Sequence, residues 1–455
     1  METKRGFGSR FGHIMALAGF CIGIGNMWKF PYMVGANGGG VFLVIYIISV
    51  IFAGLPLFIL EQQLGRSSRL SGIAGMSALA PKHKTFWSVT GGWFGVITII
   101  LIAGYFWTIL GWNIGYIFKV ADGSFLGLNA DSATQMFVDF SGSWGCVGCA
   151  AIAAVLCFLI MSTDFKKGVE KVCKIALPLL IVLMIGLACY SCSLPGAGKG
   201  VEWYLKPEFA GTDILSVIQA AVVQVFYSVG VGMACAFVYG SYLKKEENLV
   251  GGSVTAVILD TCVAFLSGLV ITPALFAFGI EPTAGPGLVF ISLPQLFAAM
   301  GPVVGRIFGL VFMFAVFLAC LTSMVAVLEA IIANLGDKFG WSRKRGRNFA
   351  VIFTFVLSIF VTLNQGTGVM SGATFFGMDL FSLLDMLASA FGLTLGAIFM
   401  TIFVIFVMKF DRFRKEANEG ARVLRIGGWM KWYYNIIIPI ILVFVFYCIL
   451  RMYFG

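Results

Sequence analysis

A stretch that cannot form one continuous membrane helix sits inside the first long apolar segment of this chain. Between Ala18 and Pro31 it places Gly19, Gly23 and Gly25 within seven residues, followed by Asn26, Lys29 and Pro31. Each Gly costs about 1 kcal/mol relative to Ala in a helix interior. A broken backbone in lipid leaves N–H and C=O groups unpaired, at a cost of several kcal/mol each. Such a break persists only where protein or a water-filled cavity supplies partners. The stretch therefore reads as a discontinuous helix whose freed carbonyls bind something.

The surrounding chain sets the class. Of 455 residues, 60% are hydrophobic and only 11% are charged. Apolar runs of about 20 residues recur, the length that crosses a bilayer core. An all-α integral membrane protein with a single membrane domain is predicted, with eleven transmembrane helices. They cover approximately 11–36, 41–64, 87–120, 146–161, 172–192, 214–242, 249–278, 304–335, 349–363, 381–408 and 432–453. With the N-terminus inside, 25 of the 31 Lys and Arg fall on cytoplasmic segments and five on outer ones, while Lys29 lies within a span. That asymmetry is the positive-inside pattern, and it places the C-terminus outside. The net charge of +10 is then a topology signal facing anionic lipid, not a nucleic-acid surface. The short, polar, basic N-terminus reads as lacking a signal peptide.

Span six repeats the oddity of span one, with Gly230 and Gly232 near its middle. Gly in a membrane helix can simply allow close packing. Two interrupted spans five positions apart point instead to an inverted repeat with a binding site at the breaks. Repeat one would cover about 11–192 and repeat two about 214–408, with an extra helix at about 432–453. Other polar groups lie deep in apolar runs. Glu61 ends span two, Asp260 lies in span seven, and Thr322 and Ser323 lie in span eight, followed by Glu329 and Asp337. An intramembrane acid marks function by default, although Glu61 can equally serve by accepting hydrogen bonds from broken backbone nearby. Thr322 and Ser323 can bond back to their own helix or offer oxygen to a hard cation. Tyr105, Phe106 and Trp107 point in successive directions on span three, so at most one or two of them face any one cavity. Segment 281–301, rich in Gly and Pro, reads as a re-entrant outer loop or lid, and 193–213 as a connection holding a short helix. Cys146/Cys149 and Cys189/Cys192 have metal or redox spacing, but no His or charge adjoins them, which favours packing.

These residues resemble the neurotransmitter:sodium symporter family. The likeness is most specific in Gly23 to Pro31, Asn37 to Gly40, Glu61 to Arg66, Tyr239 to Tyr242 and Leu321 to Ser323. Eleven spans are similar to a bacterial branch, which implies a bacterial inner (cell) membrane. The resemblance implies the LeuT-type 5+5 inverted repeat with discontinuous helices one and six, for which that family is itself the type case. It implies sodium-coupled import of amino acids or related amines by alternating access, with sodium ions, two in number, as the only cofactors. One sodium site would use the carbonyls of Gly19, Ile22 and Ala319 with the hydroxyls of Thr322 and Ser323. The other would use the Cys21 carbonyl, Asn26, Ser228 and Asp260. The substrate would be lined by Phe20, Ile102, Phe106, Tyr227, Gly230, Met233, Ser323 and Val327. An outer gate would pair Lys29 with Asp385 and stack Phe106 near Tyr227; an inner gate would include Arg5, Tyr242 and Asp337.

Two departures bear on the substrate. The family usually has Tyr at position 106, and a small, polar or acidic residue at position 20, where this chain has Phe. A register that brings Tyr105 into the pocket is the alternative at the first. Asp260 supplies a fixed charge where chloride-dependent relatives use a neutral residue and a bound anion, so transport is expected to be chloride-independent. Hydrophobic or aromatic L-amino acids are the leading substrates and biogenic or other amines lacking a carboxylate the alternative; a non-transporting channel or sensor is a further one. No paired acid and base, nucleophile or phosphate-binding motif adjoins the breaks, so an enzyme is not expected. The partners expected are a small-molecule substrate and membrane lipid, without nucleic acid, in a monomer or weak dimer.

Overall fold

The computed structural model describes residues 6–454 and is helical throughout its spans. Among these residues nine helices are long and apolar enough to cross a membrane. The pair Arg10–Cys21 and Gly25–Ala36, bent by 58°, makes a tenth span if counted as one. The helices Ile214–Val229 and Cys235–Tyr242 flank the second break, and each alone is too short to cross.

Burial sorts the bundle into an inner and an outer ring. The apolar windows of Val304–Phe339 and Lys84–Asp122 are 78% and 72% buried inside the protein. Those of Trp144–Met161, Lys166–Ser193 and Met430–Arg451 are only 39% buried, leaving rows of apolar side chains for lipid. The broken helices lie against the inner ring, so their unpaired backbone faces protein.

Each break has a local cause. Ser9 caps the first helix, its side chain accepting from the Gly12 amide at 3.0 Å. The helix stops at Cys21, where Ile22 turns to an extended conformation, and it resumes at Gly25. Asn26 Oδ1 accepts from the Gly23 amide at 3.0 Å, so a side chain replaces a lost backbone partner. In the second break Gly230 and Gly232 adopt φ of +67° and +90°, conformations that cost side-chain-bearing residues energy. Glu61 is the matching acceptor there. Its carboxylate takes the Gly232 amide at 2.8 Å and the Phe237 amide at 3.3 Å.

The connections are more ordered than their sequence suggests. Ala197–Leu205 is the short helix expected in 193–213. Ala130–Ser141 and Gly72–Leu79 are helices that hydropathy alone does not pick out. Segment 281–301, expected as a re-entrant loop or lid, is helical over Leu288–Ala299. Pro294 falls inside it, just after the π-helical turn Leu288–Ser292, where the ladder is already irregular and its missing N–H is accommodated. Phe290 from this helix packs on Trp28, Trp112 and Tyr116, at centroid distances of 6.0, 5.8 and 5.0 Å.

Candidate functional site

A cavity opens where the two breaks meet spans three and eight. Its walls contain all eight residues anticipated from the sequence: Phe20, Ile102, Phe106, Tyr227, Gly230, Met233, Ser323 and Val327. Gly23 and Gly25 of the first break line it as well, as do Ile24 and Leu393, which were not singled out before. So does Tyr105, beside Phe106, whereas Trp107 turns away and donates to Thr354 at 2.9 Å. The glycines shape the space. A Cβ at Gly230 would lie 2.6 Å from Phe20 Cζ, and one at Gly25 would lie 2.7 Å from Tyr227 Cε1.

Two groups of oxygens flank the cavity. In the first, Ser323 Oγ donates to the carbonyls of Ile22 at 2.8 Å and Gly19 at 3.2 Å. Thr322 Oγ1 lies beside it and donates to Ala319 at 3.0 Å and Leu318 at 3.1 Å. Carbonyls and hydroxyls from spans one and eight thus converge, and oxygen donors of this kind suit a hard cation. In the second group, Asn26 Nδ2 donates to Asp260 Oδ1 at 2.7 Å and to Ser228 Oγ at 3.3 Å. Ser228 in turn donates to Asp260 Oδ2 at 2.8 Å. Cys21 leads into this group, its thiol 3.7 Å from the Val229 carbonyl. Asn26, Ser228 and Asp260 are all buried.

The expected gate residues lie at the two ends of the cavity. Lys29, expected to pair with Asp385, has its Nζ 4.0 Å from the centroid of the Tyr227 ring, and the Asp385 carboxylate is close enough to act on its charge. An ammonium over a ring face is held by the ring's quadrupole. Asp385 Oδ1 accepts from Tyr105 and from Ser389, each at 3.1 Å. At the opposite end Tyr242 donates to Glu329 at 2.8 Å, and Arg343 forms an ion pair with that carboxylate at 2.8 Å. Asp337 accepts from the Ser71 amide at 2.8 Å. Arg5 lies outside the described residues. Phe7 packs in a ring of His13, Phe165, Tyr239 and Tyr242, and Glu170 holds the Gly8 amide at 2.8 Å. Glu329 and Glu170 carried a signal in the sequence, as acids within or beside apolar runs. Phe7 carried none.

Comparison with known proteins places this architecture. The model of the sodium:neurotransmitter symporter family matches residues 4–125 and 134–454. An uncharacterized sodium-dependent transporter of Bacillus subtilis is 31% identical, with 96% of each chain covered. One of Methanocaldococcus jannaschii is 32% identical over 96% of this chain and 89% of its own. The solved structure of MhsT in complex with L-phenylalanine superposes with a TM-score of 0.86 at 32% identity, covering 98% of this chain and all of that one. This multi-pass membrane protein, with its LeuT-type fold, belongs to the sodium:neurotransmitter symporter family.

Proposed function

We propose that this chain imports hydrophobic and aromatic L-amino acids by symport with two sodium ions, independently of chloride. The observation that carries the reading is the cavity lining. It joins an apolar compartment, Phe20, Ile102, Gly230, Met233 and Val327, to the glycine-rich break of span one, and among the described residues no carboxylate lines it. A zwitterion suits such walls. Its side chain fills the apolar compartment, where Met packs well against rings. Its carboxylate meets the positive end of the resumed helix and a neighbouring sodium ion. The similar MhsT structure holds L-phenylalanine.

Sodium is a co-substrate in this scheme. One ion takes oxygens of Gly19, Ile22, Ala319, Thr322 and Ser323; the other takes those of Cys21, Asn26, Ser228 and Asp260. Counting Ile214–Val229 and Cys235–Tyr242 as one interrupted span gives eleven spans, with repeats at about 11–192 and 214–408. The N-terminus lies inside and the C-terminus outside a bacterial inner membrane. Transport follows if sodium and substrate both favour one conformation over the other.

A free amine is the second reading. Phe20, Phe106 and Tyr227 present rings to the cavity, and Phe106 has no hydroxyl for a carboxylate. Cation–π contacts of about 0.5–2 kcal/mol would hold an amine there. Thermal-shift titration of the purified protein with tryptophan and tryptamine, with and without sodium, separates the two. We expect sodium-dependent stabilisation by tryptophan alone. Stabilisation by tryptamine alone would reverse the assignment, and tracer uptake unmoved by an imposed sodium gradient would remove symport itself.

A further inference from the structure

We infer that Tyr105 is a positioning residue of the outer gate, and that its hydroxyl ties span three to span ten across the mouth of the cavity. The inference rests on the transport reading above. Tyr105 lies deep in the long helix Lys84–Asp122 and is buried. Its ring packs on Phe381 with centroids 5.0 Å apart, and its hydroxyl donates to Asp385 at 3.1 Å, joining residues 280 apart in sequence. Asp385 stands two residues before the π-helical segment Leu387–Leu393, whose last residue lines the cavity. The Tyr105–Asp385 bond therefore links one wall of the cavity to the helix that runs down another.

Of the adjacent pair in span three, only Tyr105 carries a hydroxyl that can donate to Asp385. Phe106 also lines the cavity but has no group to donate. Lys29 is engaged by the face of Tyr227 at 4.0 Å. Both arrangements span helices at the same end of the cavity: Lys29 joins span one to span six, and Tyr105 joins span three to span ten. The first is a diffuse attraction between a charge and a ring. The second is a directional bond to a carboxylate, at 3.1 Å longer than the tightest of its kind. Opening the mouth must break it, so the bond slows release of a bound substrate without contributing to the oxygen groups that flank the cavity.

The test deletes the hydroxyl and keeps the ring. Tyr105→Phe should weaken L-phenylalanine binding about tenfold, through faster dissociation, with sodium affinity changed by less than about twofold. Cys21 lines the cavity and is 4% exposed. In right-side-out vesicles containing sodium, a membrane-impermeant thiol reagent added outside should modify Cys21 several-fold faster in the variant, as read by peptide mass. A purely structural role would lower Tm and leave that rate unchanged. Asp385→Ala, which also removes the acceptor of Ser389, should reproduce both effects, and the double variant should be no worse than Asp385→Ala alone, because the bond to Tyr105 is lost in all three. Unchanged Cys21 modification in Tyr105→Phe, or additive losses in the double variant, would overturn the inference. If the unaltered protein binds no hydrophobic amino acid, the substrate reading fails, while Cys21 modification in sodium alone still decides the role of Tyr105.

Discussion

The two oxygen groups beside the breaks are built on opposite electrostatics. Around Ser323 every group is neutral, and its hydroxyl spends its proton on the carbonyls of Gly19 and Ile22. Around Asp260 a buried carboxylate is gripped from both sides, by Asn26 and by Ser228. A cation in the first group would depend on the number and aim of dipoles; in the second it would meet a full charge. The neutral group should thus be lost when oxygens are removed. The charged group should change character when its charge is removed.

The largest expected effect breaks the neutral group. Thr322→Ala with Ser323→Ala deletes two hydroxyl oxygens and leaves the helix Val304–Phe339 otherwise intact. At ~1.5 kcal/mol for each lost contact to a charge, sodium affinity should fall at least a hundredfold. Sodium-dependent substrate binding should disappear while Tm in the absence of sodium stays close to that of the parent. Undiminished sodium-driven uptake would remove this group from the mechanism.

Asp260→Ser sharpens the contrast. At ~4 Å and an effective dielectric of about 20, a full charge is worth about 4 kcal/mol to a neighbouring cation. Solvent and the remaining oxygens absorb part of that, so a loss of about thirtyfold in sodium affinity is expected. The variant should also become responsive to chloride, because a soluble anion can replace the missing charge. Uptake by the unaltered protein should persist when gluconate replaces chloride; if it stops, the charge of Asp260 does not do what is argued here.

Much of this contrast is legible in the sequence because polar atoms and glycines are rare in apolar runs. Gly23, Gly25, Gly230 and Gly232 betray the breaks, and Asp260, Thr322 and Ser323 betray the oxygens. What stays hidden depends on helix rotation and on long-range pairing. Tyr105 and Phe106 are adjacent and aromatic, and only packing against Phe381 decides that Tyr105 reaches Asp385. Lys29 has a carboxylate and a ring within the same region, and the approach of its Nζ to the Tyr227 face is set by helix packing that the sequence does not display. The helix Ala130–Ser141 is short and amphipathic, and its sign is a capping box at Asn129 and Ser132 rather than hydropathy.

A third test asks whether the breaks themselves hold the two groups apart in behaviour. Glu61 accepts two amides of the second break, which follows directly on Ser228. Glu61→Gln keeps the shape but turns an NH2 toward one of those N–H groups. An unmet buried donor costs about 1–3 kcal/mol. We expect a Tm lower by a few degrees and transport reduced about tenfold. The loss of sodium binding should fall on the Asp260 group and spare the Ser323 group, which draws on spans one and eight. Equal losses at both would mean that the two groups act as one unit.

The smallest effect separates substrate from sodium within the second break. Gly230 sits at φ +67°, and a Cβ there would lie 2.6 Å from Phe20 Cζ and 3.0 Å from Met233 Cε. Gly230→Ala therefore carries a left-handed backbone cost of about 1 kcal/mol, common to every substrate. It also pushes Phe20 and Met233 into the space proposed for the side chain. A small substrate such as alanine feels only the first penalty, whereas tryptophan feels both. Affinity for tryptophan should fall about fivefold further than affinity for alanine, since overpacking costs ~1 kcal/mol or more. Sodium binding at the Ser323 group should not move, because none of its oxygens touches this backbone. Competition binding with the two amino acids measures the ratio directly. A ratio equal to that of the unaltered protein would place the substrate's side chain elsewhere than against Gly230.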